Sequence, residues 1–261
     1  MTEPVYETIR WTLVDGVGTI TLNRPDSLNA LNAILRRELL AAVKAAGRDD
    51  AVRCLVITGE GRGFCSGADL RAGAGERQFR RVLTDEYNPL ITALRELPKP
   101  VVAAVNGVAA GAGVSIALAC DLVYASEDAR FIQAFVRIGL VPDTGSTRTL
   151  VRTIGRHRAA ETIFSGEPMS AADAAEAGLV NRVFPATDFA DGVREVARRL
   201  AAAPTAAIGL AKRSINKAEQ ADLAASLKLE AELQELAGRT DDHAEGVTAF
   251  AEKRDPRFTG R

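Results

Sequence analysis

The stretch that decides the fold is residues 101–120, VVAAVNGVAAGAGVSIALAC, which carry no charge. Its length alone would permit a membrane span, since about 20 apolar residues cross a bilayer. Much of it, however, is Ala and Gly, which contribute little to membrane insertion, and Asn106-Gly107 is a turn dipeptide in its middle. We therefore predict a buried strand over 100–105, a tight turn and a buried helix over 111–119, and no membrane span.

Outward from this segment, strand and helix patterns alternate. The N-terminal residues predict a hairpin with strands over 5–13 and 18–22 and a turn at Asp15-Gly16. Apolar residues at helical spacing predict a helix over 29–44, with Gly47 as its C-cap. Further strands are predicted over 53–58 and 122–125, and a further helix over 79–97. This alternation is typical of an α/β fold with a partly parallel sheet.

The C-terminal third has a different pattern, because strand signals become rare after about residue 147. Only residues 179–184 resemble a strand there. Helices are predicted over 156–164, 170–177, 189–202, 205–217, 222–237 and 241–252. We therefore predict an α/β core over residues 1–200 and a helical region over residues 201–261.

Composition excludes several classes of function. Lys and Arg number 33 against 34 Asp and Glu, and the net charge of −1 excludes a globally basic nucleic-acid-binding protein. The 3 Cys and 2 His are too widely spaced for a structural zinc module, so we expect no metal. An odd number of cysteines, together with an N-terminus that has no basic or apolar leader pattern, predicts a cytoplasmic protein.

Two glycine-rich turns each follow a predicted strand. One lies within GFCSGADL (63–70), and the other ends in Gly-Ala-Gly (111–113). A helix N-terminus presents free N–H groups and the positive end of its dipole, so two such junctions in one sheet can direct two N–H groups at one oxygen atom, as in an oxyanion hole. Neither turn has the spacing of a nucleotide-binding motif. On these residues alone, close packing of turns explains the glycines at least as well.

Five stretches, in order along the chain, resemble the enoyl-CoA hydratase/isomerase family, also called the crotonase superfamily. They are NRPDSLNALN (23–32), GRGFCSGADL (61–70), VNGVAAGAG (105–113), AEAGLVNRVFP (175–185) and EGVTAFAEKRDPRFTG (245–260). The resemblance implies a crotonase-like spiral of ββα units with a helical C-terminal trimerisation region. It also implies an acyl-CoA thioester substrate, no cofactor beyond the CoA of that substrate, and a homotrimer or dimer of trimers.

The resemblance also implies roles for particular residues. On the family pattern, the backbone N–H groups of Ala68 and Ala112 form the oxyanion hole for a thioester enolate. The glutamates of family hydratases fall at Ser115 and Phe135, so that route to water addition is absent here. Asp143 matches an aspartate of family isomerases, and one carboxylate suffices to take a proton from one carbon and return it to another.

For the CoA body, the family uses main-chain contacts near the first loop and an aromatic residue and a lysine of the C-terminal helix, often from a neighbouring subunit. The matching candidates are Cys65, Ser66, Gly67, Asp69, Leu70, Phe250 and Lys253, and Arg24 and Arg71 are further candidates for the phosphates. The glycine-containing segment over 71–88 is predicted to be a lid over the acyl group.

The likeness is greatest to the ring-opening isomerases of phenylacetate breakdown, which act on 1,2-epoxyphenylacetyl-CoA. It rests on Ala112 within Gly-Ala-Gly, on Gln-Ala-Phe (133–135) and on Leu-Val-Pro-Asp (140–143). The expected function is this isomerisation or an enoyl-CoA double-bond shift. An enoyl-CoA hydratase of low or atypical activity and a non-catalytic acyl-CoA-binding protein remain as alternatives. Asp143 within Pro-Asp-Thr-Gly-Ser is also a good candidate for a helix N-cap.

Overall fold

The computed structural model describes residues 6–71 and 78–261, and all structural statements refer to these residues. The strands are β1 (Ile9–Val14), β2 (Val17–Leu22), β3 (Cys54–Gly59), β4 (Gly63–Cys65), β5 (Val101–Val105), β6 (Val108–Ala110), β7 (Leu122–Ser126), β8 (Arg130–Ile132), β9 (Pro168–Ser170) and β10 (Arg182–Phe184). The helices are α1 (Ala33–Arg48), α2 (Phe79–Val82), α3 (Asn88–Glu96), α4 (Ala112–Ala119), α5 (Ser146–Ser165), α6 (Ala171–Glu176), α7 (Phe189–Ala202), α8 (Thr205–Ala218), α9 (Leu223–Ala237) and α10 (Asp241–Glu252).

The strands of this described part form two sheets. The larger has the order β1-β2-β3-β5-β7-β10 and is parallel except for the β1–β2 hairpin. The smaller has the order β4-β6-β8-β9. Three times in succession the chain adds a strand to the larger sheet, then a strand to the smaller one, and then enters a helix: β3-β4-α2, β5-β6-α4 and β7-β8-α5. This confirms the α/β class and the predicted spiral of ββα units.

Both faces of the larger sheet are covered, which explains why its central strand β5, VVAAV, is apolar at every position. Leu55 and Ile57 of β3 face the main core, which α1, α3 and α4 complete. Cys54 and Val56, which point the other way, pack in a second cluster with residues of α7 such as Val193. The uncharged stretch of residues 101–120 contributes β5 and α4, which confirms the predicted strand and buried helix, and also β6, which was not predicted.

The N-terminal hairpin is confirmed, with a two-residue turn at Asp15-Gly16. Asp15 (φ 52°) and Gly16 (φ 76°) both have a positive φ, as a type I′ turn demands. No helix in the described part of the chain is long and apolar enough to cross a membrane.

Several local predictions were wrong. Gly47 is not a C-cap, because α1 continues to Arg48. A methyl group on Gly47 would lie 2.9 Å from Leu97 Cδ1, so the absence of a side chain at position 47 leaves room for Leu97, the residue that follows α3. The strands of the smaller sheet were missed, and α5 begins ten residues earlier than its predicted start at 156, with a break in helical backbone at Gly155. Most of the predicted lid over 71–88 is helical from Phe79 onward, and its residues 72–77 lie outside the described residues.

Arg53 is one of the residues that join the C-terminal helices to the larger sheet. Arg53, at the start of β3, donates from Nη2 to the carbonyl of Ala203 (2.6 Å), from Nε to Thr205 (2.9 Å) and from Nη1 to the carbonyl of Phe258 (2.8 Å). These contacts fix the entry of α8 and the chain end against the strand that leads to the first glycine-rich turn. A helical C-terminal region is present; its separation at residue 200 and its role in assembly stay predictions.

Candidate active site

The first turn of α4 lies directly on β4, and two glycines make this contact possible. A methyl group on Gly113 would lie 2.1 Å from the carbonyl oxygen of Cys65. One on Gly67 would lie 2.7 Å from the carbonyl oxygen of Ala110, and Gly67 also has a φ of +89°. Neither position has room for a side chain. The two loops can touch because these residues are glycines.

This contact places the amides of Ala68 and Ala112 at adjoining backbone turns. Gly67, which precedes Ala68, lies so close to Ala112 that its added methyl group would be 3.4 Å from the Ala112 nitrogen. The first loop is held by Leu31, whose N–H donates to the Gly67 carbonyl (2.8 Å) and whose carbonyl accepts from the Asp69 N–H (3.3 Å). Ala112 is the first residue of α4, so its N–H has no acceptor within the helix.

Among residues 6–71 and 78–261, neither of these two amides donates to a protein acceptor. Two such N–H groups in a water-poor site can stabilise the negative charge that develops on a carbonyl oxygen. No titratable side chain is required for this effect.

Asp143 precedes α5 but does not cap it. The N-cap position belongs to Gly145, and no side chain caps this helix. The Asp143 carboxylate instead accepts a hydrogen bond at Oδ1 from the Thr144 hydroxyl (2.7 Å). Burial raises the pKa of Asp143 above its usual range, and the Thr144 hydrogen bond opposes that rise. The alternative interpretation of Asp143 as an N-cap is therefore wrong, and its carboxylate remains available for proton transfer.

Ser115 and Phe135, which match the hydratase glutamates, lie beside the Asp143 loop. The Ser115 hydroxyl is 3.4 Å from the carbonyl oxygens of both Gly111 and Asp143. Phe135 is buried, and its Cζ would be 3.7 Å from a methyl group on Gly111. The structure thus brings the start of α4, Phe135 and Asp143 to one place, and neither Ser115 nor Phe135 provides a carboxylate there.

The candidates on the first loop differ in what their side chains can reach. Cys65 is fully buried, and burial raises the pKa of its thiol to about 12, so its side chain is part of the core. Ser66 donates to the carbonyl of Ser27 (3.0 Å), whereas Leu70 is exposed. The Ser66 N–H is itself bonded to the Leu28 carbonyl (2.9 Å), and main-chain contacts of this loop with CoA stay a prediction.

Arg24 lies against this loop through an ion pair with Asp69 (Nη2 to Oδ2, 2.9 Å). The Arg71 N–H donates to the same carboxylate (3.2 Å), and Arg24 also donates to the Ala30 carbonyl. Asp69 therefore anchors Arg24 and does not begin a helix in the described residues. A phosphate bound here would share Arg24 with this carboxylate.

Phe250 lies on the last helix, α10, and Lys253 directly follows that helix. Phe250 is 88% exposed and borders a groove with Pro204, Ala207 and Phe258. Lys253 ends α10 with a left-handed backbone (φ 57°). In the described part of the chain, no hydrogen bond or ion pair joins either side chain to residues 65–71. Their role at the CoA site, from this or a neighbouring subunit, stays a prediction.

Two buried polar side chains have a pairing that the sequence does not indicate. Among residues 6–71 and 78–261, neither the Tyr87 hydroxyl nor the Gln133 side-chain nitrogen donates a hydrogen bond. Gln133 uses its Oε1 to accept from Ser146 (3.0 Å) at the start of α5. Nothing in residue spacing signals an unpaired polar atom, because the pairing depends on long-range packing. No group of three or more His, Cys, Asp or Glu that could hold a metal ion occurs in the described ranges.

Comparison with known families gives a match over most of the chain. The family model described as "Enoyl-CoA hydratase/isomerase" matches residues 13–261. The "1,2-epoxyphenylacetyl-CoA isomerase" of Escherichia coli K12 is 45% identical over 258 residues, covering 94% of this chain and 96% of that protein. The "probable enoyl-CoA hydratase" of Rhodobacter capsulatus is 48% identical over 257 residues, covering 98% and 99%.

Solved structures give the same result for the fold. A putative enoyl-CoA hydratase from Streptomyces coelicolor superposes with a TM-score of 0.94 at 37% identity, covering 100% of this chain and 97% of that one. The enoyl-CoA hydratase from Bacillus anthracis superposes with a TM-score of 0.93 at 35% identity, covering 98% and 100%.

Proposed function

The chain belongs to the enoyl-CoA hydratase/isomerase family, and from this premise we propose that it is an acyl-CoA isomerase with Asp143 as its proton-transfer group. One observation carries the proposal: the Asp143 carboxylate caps no helix and is half-buried, and the Asp143 backbone carbonyl lies 3.4 Å from the hydroxyl of Ser115, one of the two positions where the family's hydratases have glutamates. Its raised pKa suits a group that must both accept and release a proton.

In the proposed reaction, the acyl-CoA thioester carbonyl lies against the amides of Ala68 and Ala112. Asp143 removes a proton from the carbon next to that carbonyl, and negative charge moves onto the thioester oxygen. The two N–H groups stabilise this enolate. Asp143 then returns the proton to a different carbon, so that no atom is gained or lost.

The proposed substrate is 1,2-epoxyphenylacetyl-CoA or an enoyl-CoA whose double bond is moved. The name of the Escherichia coli relative supports the first of these. The CoA body would lie along the main chain of residues 65–70, with Arg24 and Arg71 near its phosphates. Phe250 and Lys253 of a neighbouring subunit would complete the site in a homotrimer or dimer of trimers, a proposal that the exposure of Phe250 supports.

Water addition is the second candidate, because the Rhodobacter capsulatus relative bears the name of a probable hydratase. Ser115 and Phe135 argue against it. Phe135 carries no proton, and the Ser115 hydroxyl contacts only backbone carbonyls at 3.4 Å, with no adjacent base. A protein that binds acyl-CoA without turnover is the third candidate, supported by the same two residues.

A panel of four thioesters separates these functions: a 2-enoyl-CoA, a 3-enoyl-CoA, a dienoyl-CoA and 1,2-epoxyphenylacetyl-CoA. Each is incubated with the purified protein and followed by absorbance and by the mass of the product. We expect a change of absorbance at unchanged mass for at least one substrate. A product heavier by one water would support the hydratase instead, and binding with no product from any substrate would support the binding protein.

A further inference from the structure

Tyr87 is a buried tyrosine whose hydroxyl donates to no acceptor among residues 6–71 and 78–261. The residue is 4% exposed and packs in the main core, yet its proton meets no acceptor there. Buried hydroxyl groups are normally paired, because an unpaired one loses its hydrogen bond to water without replacement. A donor at this depth can be satisfied by an acceptor on a bound ligand.

Arg36 cannot be an acceptor for this hydroxyl. Its guanidinium lies over the Tyr87 ring, 5.1 Å from the ring centroid. Arg36 is itself held by Glu86 (2.6 Å) and by the carbonyl of Leu31 (2.9 Å). A guanidinium has only donor groups, so it cannot take the phenolic proton in any orientation. That proton stays available for a hydrogen bond.

The surroundings of Tyr87 place it between the two halves of the candidate active site. Leu31, which holds Arg36, also pairs with Gly67 beside the proposed oxyanion hole. On the other side, Ile91 is one helical turn after Tyr87 and so lies on the same face. A methyl group on Gly145, in the loop of Asp143, would be 3.9 Å from Ile91 Cγ2.

The backbone at Tyr87 is also unusual, because residues Leu83–Tyr87 form a π-helical turn between α2 and α3. Such turns are rare and occur frequently at functional sites. Burial raises the pKa of Tyr87 to about 12, with Arg36 opposing and the negative charge of Asp143 adding to the rise. The phenol is therefore protonated at neutral pH and able to donate.

We propose that the Tyr87 hydroxyl donates a hydrogen bond to an oxygen atom of the substrate's acyl group, so that the site prefers oxygen-bearing acyl thioesters over hydrocarbon ones. The inference rests on the proposed function, in that the acyl group must reach Asp143. It narrows the substrate class: a ring or chain with an oxygen near the reacting carbons satisfies the buried donor, and a plain alkenyl chain leaves it unpaired.

The test compares two unreactive ligands, 2-hydroxyphenylacetyl-CoA and phenylacetyl-CoA, by calorimetric titration of the full-length protein. Tyr87→Phe removes the hydroxyl and keeps the ring beneath Arg36. We expect its affinity for 2-hydroxyphenylacetyl-CoA to fall about tenfold, as for loss of one buried hydrogen bond, while phenylacetyl-CoA binds as before. The thermal midpoint of the unliganded variant should equal or exceed that of the parent, because the deleted hydroxyl donates to no acceptor in the described residues.

The matched control is Tyr124→Phe, which removes the same atom from β7, where the ring packs on Phe184 (centroids 6.0 Å apart) in the second cluster. It should change neither affinity. Equal losses for both ligands in Tyr87→Phe would mean a structural role and overturn the inference, and so would no loss for either ligand. Because binding is measured without turnover, failure of the isomerase proposal in the thioester panel would be seen separately.

Discussion

The two halves of the candidate site are built in different ways. The half around Ala68 and Ala112 consists of backbone, and its geometry depends on the close approach of α4 to β4. The half around Asp143 consists of one side chain on a loop whose residues Thr144 (φ 56°) and Gly145 (φ 80°) have left-handed backbone. The first half depends on the absence of side chains, and the second on the presence of one.

This difference assigns separate tasks to the two halves. Backbone N–H groups can stabilise charge but cannot move a proton, and a carboxylate can move a proton but would repel an oxyanion. A family member can therefore keep the first half and change its reaction by changing the carboxylates of the second. It follows that substitutions in the two halves should have different effects. In the backbone half they should remove structure or charge stabilisation, and in the side-chain half they should remove proton transfer.

The largest effect is expected from Gly113→Ala, which breaks the backbone half. The added methyl group would lie 2.1 Å from the Cys65 carbonyl oxygen and 2.9 Å from its carbon, and backbone cannot rotate away. We expect the free energy of unfolding to fall by about 3 kcal/mol or more, with loss of activity. Urea denaturation measures this change.

Gly246→Ala is the matched control, because it places the same methyl group in helix α10 at an ordinary 3.6 Å from Phe258 Cε1. Its stability should be unchanged or higher by about 0.5–1 kcal/mol, since alanine favours a helix over glycine. If the two variants behaved alike, close approach would not explain the glycine at position 113.

The sequence predicts the two halves unequally well, for a physical reason. The uncharged run over 101–120 and the alternation around it suffice for the larger sheet and α4, because long apolar segments carry a clear period. The strands of the smaller sheet, such as Gly63–Cys65, have three residues, too few to show any period. The glycine motifs therefore looked like simple turns, although each of them contains a strand, β4 in one and β6 in the other.

Asp143 and Tyr87 show a second limit. Whether Asp143 caps a helix depends on where α5 begins, and the capping signal in Pro-Asp-Thr-Gly-Ser fits a start two residues too early. The surroundings of the Tyr87 ring include Arg36, which lies some fifty positions away in sequence and meets the ring through the packing of α1 on the α2–α3 segment. Neither of these two features of Asp143 and Tyr87 can be predicted from the local sequence pattern.

The second largest effect is expected from Asp143→Asn, which breaks the side-chain half alone. Asparagine keeps the shape but cannot accept a proton, so kcat should fall about 10²- to 10⁴-fold, while titration with an unreactive acyl-CoA should give nearly unchanged affinity. A variant that kept its kcat would show that another group transfers the proton.

The same variant has a stability signature. Because the pKa of Asp143 is raised on folding, the native state binds more protons than the unfolded state between the two pKa values, so stability falls as pH rises through that window. The Asp143→Asn variant has no ionisable group at this position, so it does not lose this stability as the pH rises. Its thermal midpoint should equal or exceed that of the parent at pH 7, and the two should converge toward acidic pH.

A smaller effect is expected from Ala112→Pro, which removes one N–H from the backbone half. Ala112 is the first residue of α4, the helical position where proline is best tolerated because its N–H has no acceptor in the helix. If this amide stabilises the enolate, kcat should fall about 10²- to 10³-fold with the circular dichroism spectrum preserved. Ala112→Gly keeps the N–H and should retain most of the activity; equal losses in both variants would contradict the role of the amide.

The smallest effect, and the finest test of the side-chain half, is expected from Thr144→Ala. The Thr144 hydroxyl stabilises the ionised form of Asp143, so its removal should raise the pKa of that carboxyl further. Since proton removal needs the ionised carboxylate, the acidic limb of the kcat profile should move to higher pH. Thr144→Ser keeps the hydroxyl and should leave the limb in place. Alanine also removes a β-branched side chain from a residue with a φ of 56°. Thr144→Ala should therefore not lower the stability of the protein. A shift of the acidic limb at unchanged stability would show that the substitution acts on the Asp143 carboxyl and does not damage its loop.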